Sequence, residues 1–231
     1  MITREEQKDP KKRILSACVT MFIEKGFHKT TMLEILKEAD VSAGTFQNLF
    51  KTKDGVLYAL AEFMFDGQFD MARKLSESVP DPVAVYATET AIQLALAEQS
   101  ENLREIYVEA YTNPALAEFL YQKTSTELYR IFGAFQPAWT ESDFYEADVG
   151  TSGMMRAYMA RPCDKYFTLK RKTEKFLRAA LAVYRVPEER AFAAISHVNA
   201  LDTPKIAERV MGKLFTALEM QFDCKFNRRG A

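Results

Sequence analysis

The chain has 231 residues, enough for one large domain or two modest ones with a sizeable core. Hydrophobic residues make up 48% and charged residues 27%, which excludes a disordered or low-complexity chain. The net charge is -1, so no global basic field marks a nucleic-acid partner, although residues 1–55 carry 10 Lys and Arg against 8 Asp and Glu.

The first helix is expected over Pro10–Lys25. Pro10 suits a first helical position, and Ile14, Cys18 and Phe22 repeat at i+4. Gly26 reads as the left-handed residue past its end, with Phe27 packing on Phe22 as in a Schellman stop. Thr31-Met-Leu-Glu34 matches a capping box and opens helix two, whose buried face should be Met32, Ile35, Leu36 and Ala39. Asp40 should break that helix, because Asp tolerates the left-handed region. Ser42 then caps helix three, and Val41 with Phe46 forms a hydrophobic staple. Phe46, Leu49 and Phe50 are its core stripe. A fourth helix starts at Thr52 or Lys53 and runs to about Ser76.

"SVPDPV" (78–83) is the best domain boundary. Beyond it, helices are expected near 82–99, 101–112, 114–135, 141–160, 164–185, 188–200 and 203–222, with Pro82, Pro114, Pro162, Pro187 and Pro204 near their starts. Gly and Pro are scarce and no strand pattern stands out. The expected fold class is therefore all-α, with a domain at 1–52, a connecting helix at about 53–76, and a larger helical domain at 77–231.

A very short turn joins helices two and three, as in a helix-turn-helix. With Phe46, Leu49 and Phe50 turned inward, Ala43, Gly44, Thr45, Gln47 and Asn48 are left on or near the outer side. Small residues permit close approach to a phosphate backbone. The amides of Gln47 and Asn48 can donate and accept together, matching the N6/N7 edge of adenine in a major groove. A solvated helical hairpin with an amide-rich turn would show the same periodicity.

Residues 11–60 resemble the DNA-binding domain of the tetracycline-repressor (TetR-type) family of transcriptional regulators, the matching residues being "RILSACVTMFIEKGFHKTTMLEILKEADVSAGTFQNLFKTKDGVL". Three blocks carry the resemblance: Phe22…Gly26-Phe27…Thr30-Thr31, then Ala39-Asp40-Val41-Ser42, then Gly44-Thr45-Phe46…Phe50-Lys51…Lys53-Asp54. The resemblance implies a homodimer bearing two recognition helices, a double-stranded DNA operator, and a C-terminal domain whose small-molecule effector relieves repression. It implies phosphate contacts from Thr31 and Lys53, and a groove face of Ser42, Ala43, Gly44, Thr45, Gln47 and Asn48 with Lys51 near the backbone. There are three departures. Asp40 stands where the family usually has Gly, Gln47 where Tyr is usual, and Leu49 where His or Tyr is usual.

The C-terminal region is rich in Phe, Tyr and Met, which suggests a largely apolar or aromatic effector with Tyr86, Tyr107, Tyr111, Trp139 and Arg156 as its lining. Apolar bands on 164–185 and 203–222 suggest a four-helix dimer interface; the Gly150–Gly153 helix competes with it. The alternative to an effector-controlled regulator is a DNA-binding dimer of the same fold governed by a protein partner, or an architectural one.

An enzyme is not expected. His28 and His197 are the only histidines, so a metal site or His-based triad has little material, and no catalytic residue or cofactor is assigned. Gly150-Thr-Ser-Gly153 lacks the Lys of a phosphate loop. Cys18, Cys163 and Cys224 are isolated, which points to the reducing cytoplasm. Neither a signal peptide nor a membrane helix is expected.

Overall fold

The computed structural model describes residues 9–65, 74 and 81–222. Among them lie eleven α-helices and no strand. These are α1 (Pro10–Glu24), α2 (Met32–Glu38), α3 (Ala43–Phe50) and α4 (Lys53–Phe65) in the N-terminal part. Then follow α5 (Pro82–Leu96), α6 (Glu101–Ala110), α7 (Pro114–Phe132), α8 (Glu141–Ala160), α9 (Leu169–Val183), α10 (Glu188–Asn199) and α11 (Thr203–Phe222). The expected continuation of helix four beyond Phe65, Lys74 apart, and residues 78–80 of the linker lie outside the described residues.

Caps written into the sequence set the N-terminal helices. Asp9 accepts the Lys11 amide at 2.9 Å, and Pro10 takes the first helical position. The Thr31 hydroxyl accepts the Glu34 amide, and the Glu34 carboxylate accepts the Thr31 amide at 3.0 Å. That bond and the Lys25 ammonium pull the Glu34 carboxyl down to about 2, the lysine contributing most. Gly26 has φ +102 and its own amide returns to the Met21 and Phe22 carbonyls. The stop is thus the simpler αL form rather than the Schellman form, with the Phe22 and Phe27 rings 5.0 Å apart edge to face.

Asp40 adopts φ +49, as its place in the turn requires, and its carboxylate accepts from Arg13 at 3.2 Å. The Ser42 hydroxyl accepts the Thr45 amide at 3.1 Å. Helix α2 buries less than its pattern suggests: Ile35 and Ala39 are inside, Leu36 is half-buried and Met32 is exposed. A seven-residue helix lying mainly on α1 has only one side covered.

The junction of α3 and α4 is tight. Lys51 has φ +60 and ψ −54, and the Thr52 amide donates to the Phe50 carbonyl at 2.6 Å. This is a γ-turn with positive φ at a non-glycine residue, a strained conformation. A Cβ on Gly55 would lie 2.3 Å from the same Phe50 carbonyl oxygen.

In the C-terminal part α5 is the axis. It packs against α7, α9, α10 and α11, and its residues are buried on every side. Helix α9 starts at Leu169, later than its apolar pattern suggests. Asp164 holds the Tyr166 and Phe167 amides at 2.7 Å each, and Thr168 caps the helix. Lys172, at 0% exposure, pins this segment to the end of α5: its ammonium donates to Glu98 at 2.6 Å and to the Arg161 carbonyl. The α9 stripe of Phe176, Leu177, Ala180, Leu181 and Tyr184 is consumed by the monomer core, and its outer face carries exposed Arg171, Lys175 and Arg178. The extra apolar width expected there is absent. No described helix is long and apolar enough to cross a membrane.

Gly55→Ala should cost about 2–3 kcal/mol, because backbone rather than a flexible side chain must yield. Gly44→Ala should gain about 0.5–1 kcal/mol, since its Cβ would meet only the Ser42 hydroxyl at 3.8 Å. Thermal or urea denaturation of the full chain measures both.

Candidate nucleic-acid interface and internal cavity

Helix α3 rests on the core through Phe46 and Phe50, which are buried with ring centroids 5.9 Å apart. Its opposite side is open: Ser42, Ala43, Gly44, Gln47, Asn48 and Lys51 are exposed. Thr45 is half-buried, and its hydroxyl is 2.9 Å from that of Ser42, so it offers its methyl more readily than its oxygen. Leu49 differs from its expected core position. At 41% exposure it extends the open side of α3 with an apolar group. A short helix in contact with α1 and α4 has room to bury i and i+4, and Leu49 at i+3 falls at the edge.

Thr31 lies at the exposed start of α2 and is held by Glu34. Lys53 is placed differently from a free basic arm. Its ammonium donates to the Phe27 carbonyl at 2.7 Å and the Thr30 carbonyl at 2.9 Å, and stands 4.2 Å from the Phe27 ring centroid. It therefore fastens α4 to the turn before α2 and fixes a positive charge beside the α2 start.

The C-terminal part encloses a small cavity of about 40 Å³ between α5, α6, α7, α8 and α9. One side is apolar, formed by Leu120, Leu128, Met155 and Phe176. The other carries Glu89, Gln93, Asp148, Thr151 and Ser152, together with the Tyr86 and Tyr111 phenols. The expectation of a largely apolar lining holds for one wall only. Of the residues expected to line it, Tyr86 and Tyr111 do so. Tyr107 is buried away from it, Trp139 packs on Phe144 with centroids 5.2 Å apart, and Arg156 is exposed.

Both carboxyls are deeply buried, Glu89 at 5% and Asp148 at 7% exposure. The Glu89 carboxyl accepts from the Gln93 amide, and Tyr111 donates to the other end of Gln93 at 3.1 Å. Burial pushes Glu89 up to about 8, so it is mostly protonated at neutral pH. Asp148 accepts from the hydroxyls of Thr124, Thr151 and Ser152, the last two at 3.1 Å. Burial raises its carboxyl too, against these three donors. Thr151 is also 2.9 Å from the Tyr184 hydroxyl. The sequence signal for this site was present but weak. "TETAIQ" (88–93) places polar side chains inside an otherwise apolar helix.

Helix α6 touches both sites. Its Tyr111 cap residue reaches the cavity. Asn102 donates to the Ile23 carbonyl at 3.0 Å, and Glu105 accepts the His28 backbone amide. The His28 ring lies 3.5 Å from Glu109 and 3.7 Å from Glu105. These contacts hold the turn that leads into α2.

The family profile described as "Bacterial regulatory proteins, tetR family" matches residues 14–60, the span of α1 through most of α4. Residues 14–60 are thus similar to the tetR-family regulatory domain. Among curated relatives, the HTH-type transcriptional regulator HbdR of Aromatoleum sp. (strain CIB) is 32% identical over 71 residues, 31% of each chain. The uncharacterized HTH-type transcriptional regulator YvkB of Bacillus subtilis (strain 168) is 30% identical over 105 residues, covering 46% of this chain and 52% of its own. The uncharacterized HTH-type transcriptional regulator YuxN of the same organism is 25% identical over 85 residues, 37% of this chain and 29% of its own. The matched stretch thus spans no more than about half the length of these relatives. The family and these relatives are transcriptional regulators, not enzymes. The crystal structure of RolR in complex with resorcinol superimposes with a TM-score of 0.62 at 21% identity, covering 86% of this chain and 97% of that one. This likeness shows that the C-terminal helices share the fold of that structure as well.

Glu89 makes the fold sensitive to pH. Its carboxyl is raised from 4.5 to about 8, so the folded state holds a proton the unfolded state has lost across that window. Its burial costs nothing below pH 4.5 and the full penalty above pH 8. Glu89→Gln should therefore leave stability nearly unchanged at pH 4.5 and raise it progressively to pH 8, by about 4–5 kcal/mol at most. Urea midpoints of both proteins across that range measure it.

Proposed function

We propose that this protein is an operator-binding repressor, released from DNA by a small molecule that enters the C-terminal cavity. The observation that carries the reading is the open side of α3: two adjacent amides and small residues on a helix otherwise anchored by Phe46 and Phe50. Gln47 and Asn48 suit bidentate contacts to adenine, and the Thr45 methyl suits a thymine methyl. Lys51 and the α2 start, with Thr31 and the fixed charge of Lys53, suit phosphates. Leu49 replaces a polar group at the groove edge with an apolar one, which favours a thymine-methyl or sugar contact.

Reading two half-sites requires a two-fold homodimer, whose half-site centres would lie about one helical turn or somewhat more apart. With α9 committed to the core, the remaining candidates are α11 and the open side of α8. On α8, Val149, Gly150 and Gly153 are exposed, and nothing lies within 4 Å of where the glycine Cβ atoms would be. Small residues there allow helix axes to approach closely.

RolR, of the same fold, binds resorcinol. A cavity in the corresponding domain supports an effector reading here as well. The present volume accommodates about three waters, so an effector must displace side chains on entry. Helix α6 is then the route outward, because it carries Tyr111 at the cavity and Asn102, Glu105 and Glu109 at the DNA-binding part. Such a protein would act in the cytoplasm.

Selection from a randomised duplex pool should recover a pseudo-palindrome. Against that operator, Gln47→Ala should cost about 1–3 kcal/mol and relax preference at one position per half-site. Lys51→Ala should weaken operator and scrambled DNA alike and lower the salt slope by about 1 per subunit. Lys53→Ala should lose stability as well as affinity, because two carbonyls lose their donor. Binding isotherms at two salt concentrations separate these effects. Unchanged discrimination in Gln47→Ala would refute the assignment of the reading face.

A further inference from the structure

The cavity presents an electrostatic imbalance. Glu89 and Asp148 both face it, and among the described residues no Lys, Arg or His lines it. The donors on Asp148 are hydroxyls, which supply dipoles but no countercharge. Arg156, the basic residue of α8, is exposed rather than turned inward. Removing carboxyls from water without a cation costs free energy that good packing would avoid. A second feature lies beside them. Thr90 is 1% exposed and lines the same cavity, and its hydroxyl lacks a well-formed hydrogen bond, the Tyr86 phenol being its polar neighbour. The cavity therefore holds two buried carboxyls with no countercharge among the described residues, beside a poorly bonded hydroxyl.

We propose that the effector is a small organic cation, a protonated amine with an apolar or aromatic body, whose ammonium group lies between Glu89 and Asp148. The inference rests on the effector reading above. An ammonium head is about the size of a water, so the existing volume receives it. Thr90 and Ser152 can accept its remaining protons, and Tyr86 and Tyr111 present ring faces or phenol oxygens to the charge. The carbon body lies toward Leu120, Leu128, Met155 and Phe176. Met155, unbranched and flexible, is the side chain best able to yield room. An anionic ligand finds no basic partner among the described lining residues. A hard metal ion is a poorer fit: no group of three or more His, Cys, Asp or Glu suited to a metal occurs among the described residues, and calcium takes six to eight oxygen ligands.

The test compares matched probes on the full-length protein. Ethylamine, benzylamine and phenethylamine are measured against ethanol, benzyl alcohol, phenethyl alcohol, benzoate and resorcinol, by thermal shift and by calorimetry. At least one amine should bind tenfold or more tightly than its alcohol, and benzoate should not bind. Glu89→Gln and Asp148→Asn should each reduce that preference toward unity, weakening the amine more than its alcohol. Using both guards against one failing to fold. Equal binding of amine and alcohol, no binding by any amine, or a preference surviving in both variants would overturn the cation assignment. Affinity for the selected operator, measured with each ligand present, separates the two readings. If resorcinol or an alcohol binds and lowers it without an amine preference, the cavity is an effector site for neutral ligands and only the cation assignment fails. If an amine binds with the expected preference but leaves it unchanged, the cation site stands and the effector reading fails.

Discussion

The C-terminal architecture depends on one constraint: α5 is buried on all sides yet carries Glu89, Thr90 and Gln93 in its middle. A helix enclosed by α7, α9, α10 and α11 can be apolar throughout and lose nothing. This one is not, so every polar group on it needs a partner supplied by a neighbour. Gln93 bridges Glu89 to Tyr111 of the α6 end, and Asp148 on the adjacent α8 recruits hydroxyls from α7 and from its own helix. The result is a polar pocket in the centre of an apolar bundle. Such a pocket opposes stability, and its persistence is understandable if something else is meant to complete it.

The DNA-binding part meets the opposite demand. Its helices are short, and isolated they would not persist in water. Capping at Asp9, Thr31 and Ser42, the Gly26 stop, and the close fit of Gly55 on Phe50 place α3 with little freedom. Lys53 adds a cross-link from α4 to the carbonyls before α2. The same turn is gripped from the other side by Glu105 and Asn102 of α6. Thus the residues preceding α2 contact both α4 and the helix that ends at the cavity. A displacement of α6 would meet the turn before α2 directly.

How much of this was legible in the sequence follows from the range of the interactions. Caps and stops act over three or four residues, so the capping box, the Ser42 cap and the Gly26 stop could be read directly. So could the resemblance to the tetR-family domain, because its blocks encode those same turns. Leu49 could not, since i+3 periodicity does not reveal where a short helix runs out of neighbours. Lys53 could not, because its carbonyl partners lie 23 and 26 positions away. The start of α9 was misread because Asp164 and Thr168 compete with the helix for amides, which hydrophobic pattern ignores. The cavity was the hardest feature. Aromatic composition pointed to Tyr86 and Tyr111, but Glu89 and Asp148 are 59 positions apart, and nothing local joins them.

The central claim is that α6 couples the cavity to the recognition helix. Coupling is reciprocal, so DNA must be felt at the cavity if the cavity is to be felt at the DNA. Backbone amide hydrogen exchange of the full-length protein, free and bound to its selected operator duplex, tests this most directly. The account predicts altered protection at residues 101–111 and 89–93 in addition to 27–53. Changes confined to 27–53, with the cavity helices exchanging as in the free protein, would contradict it.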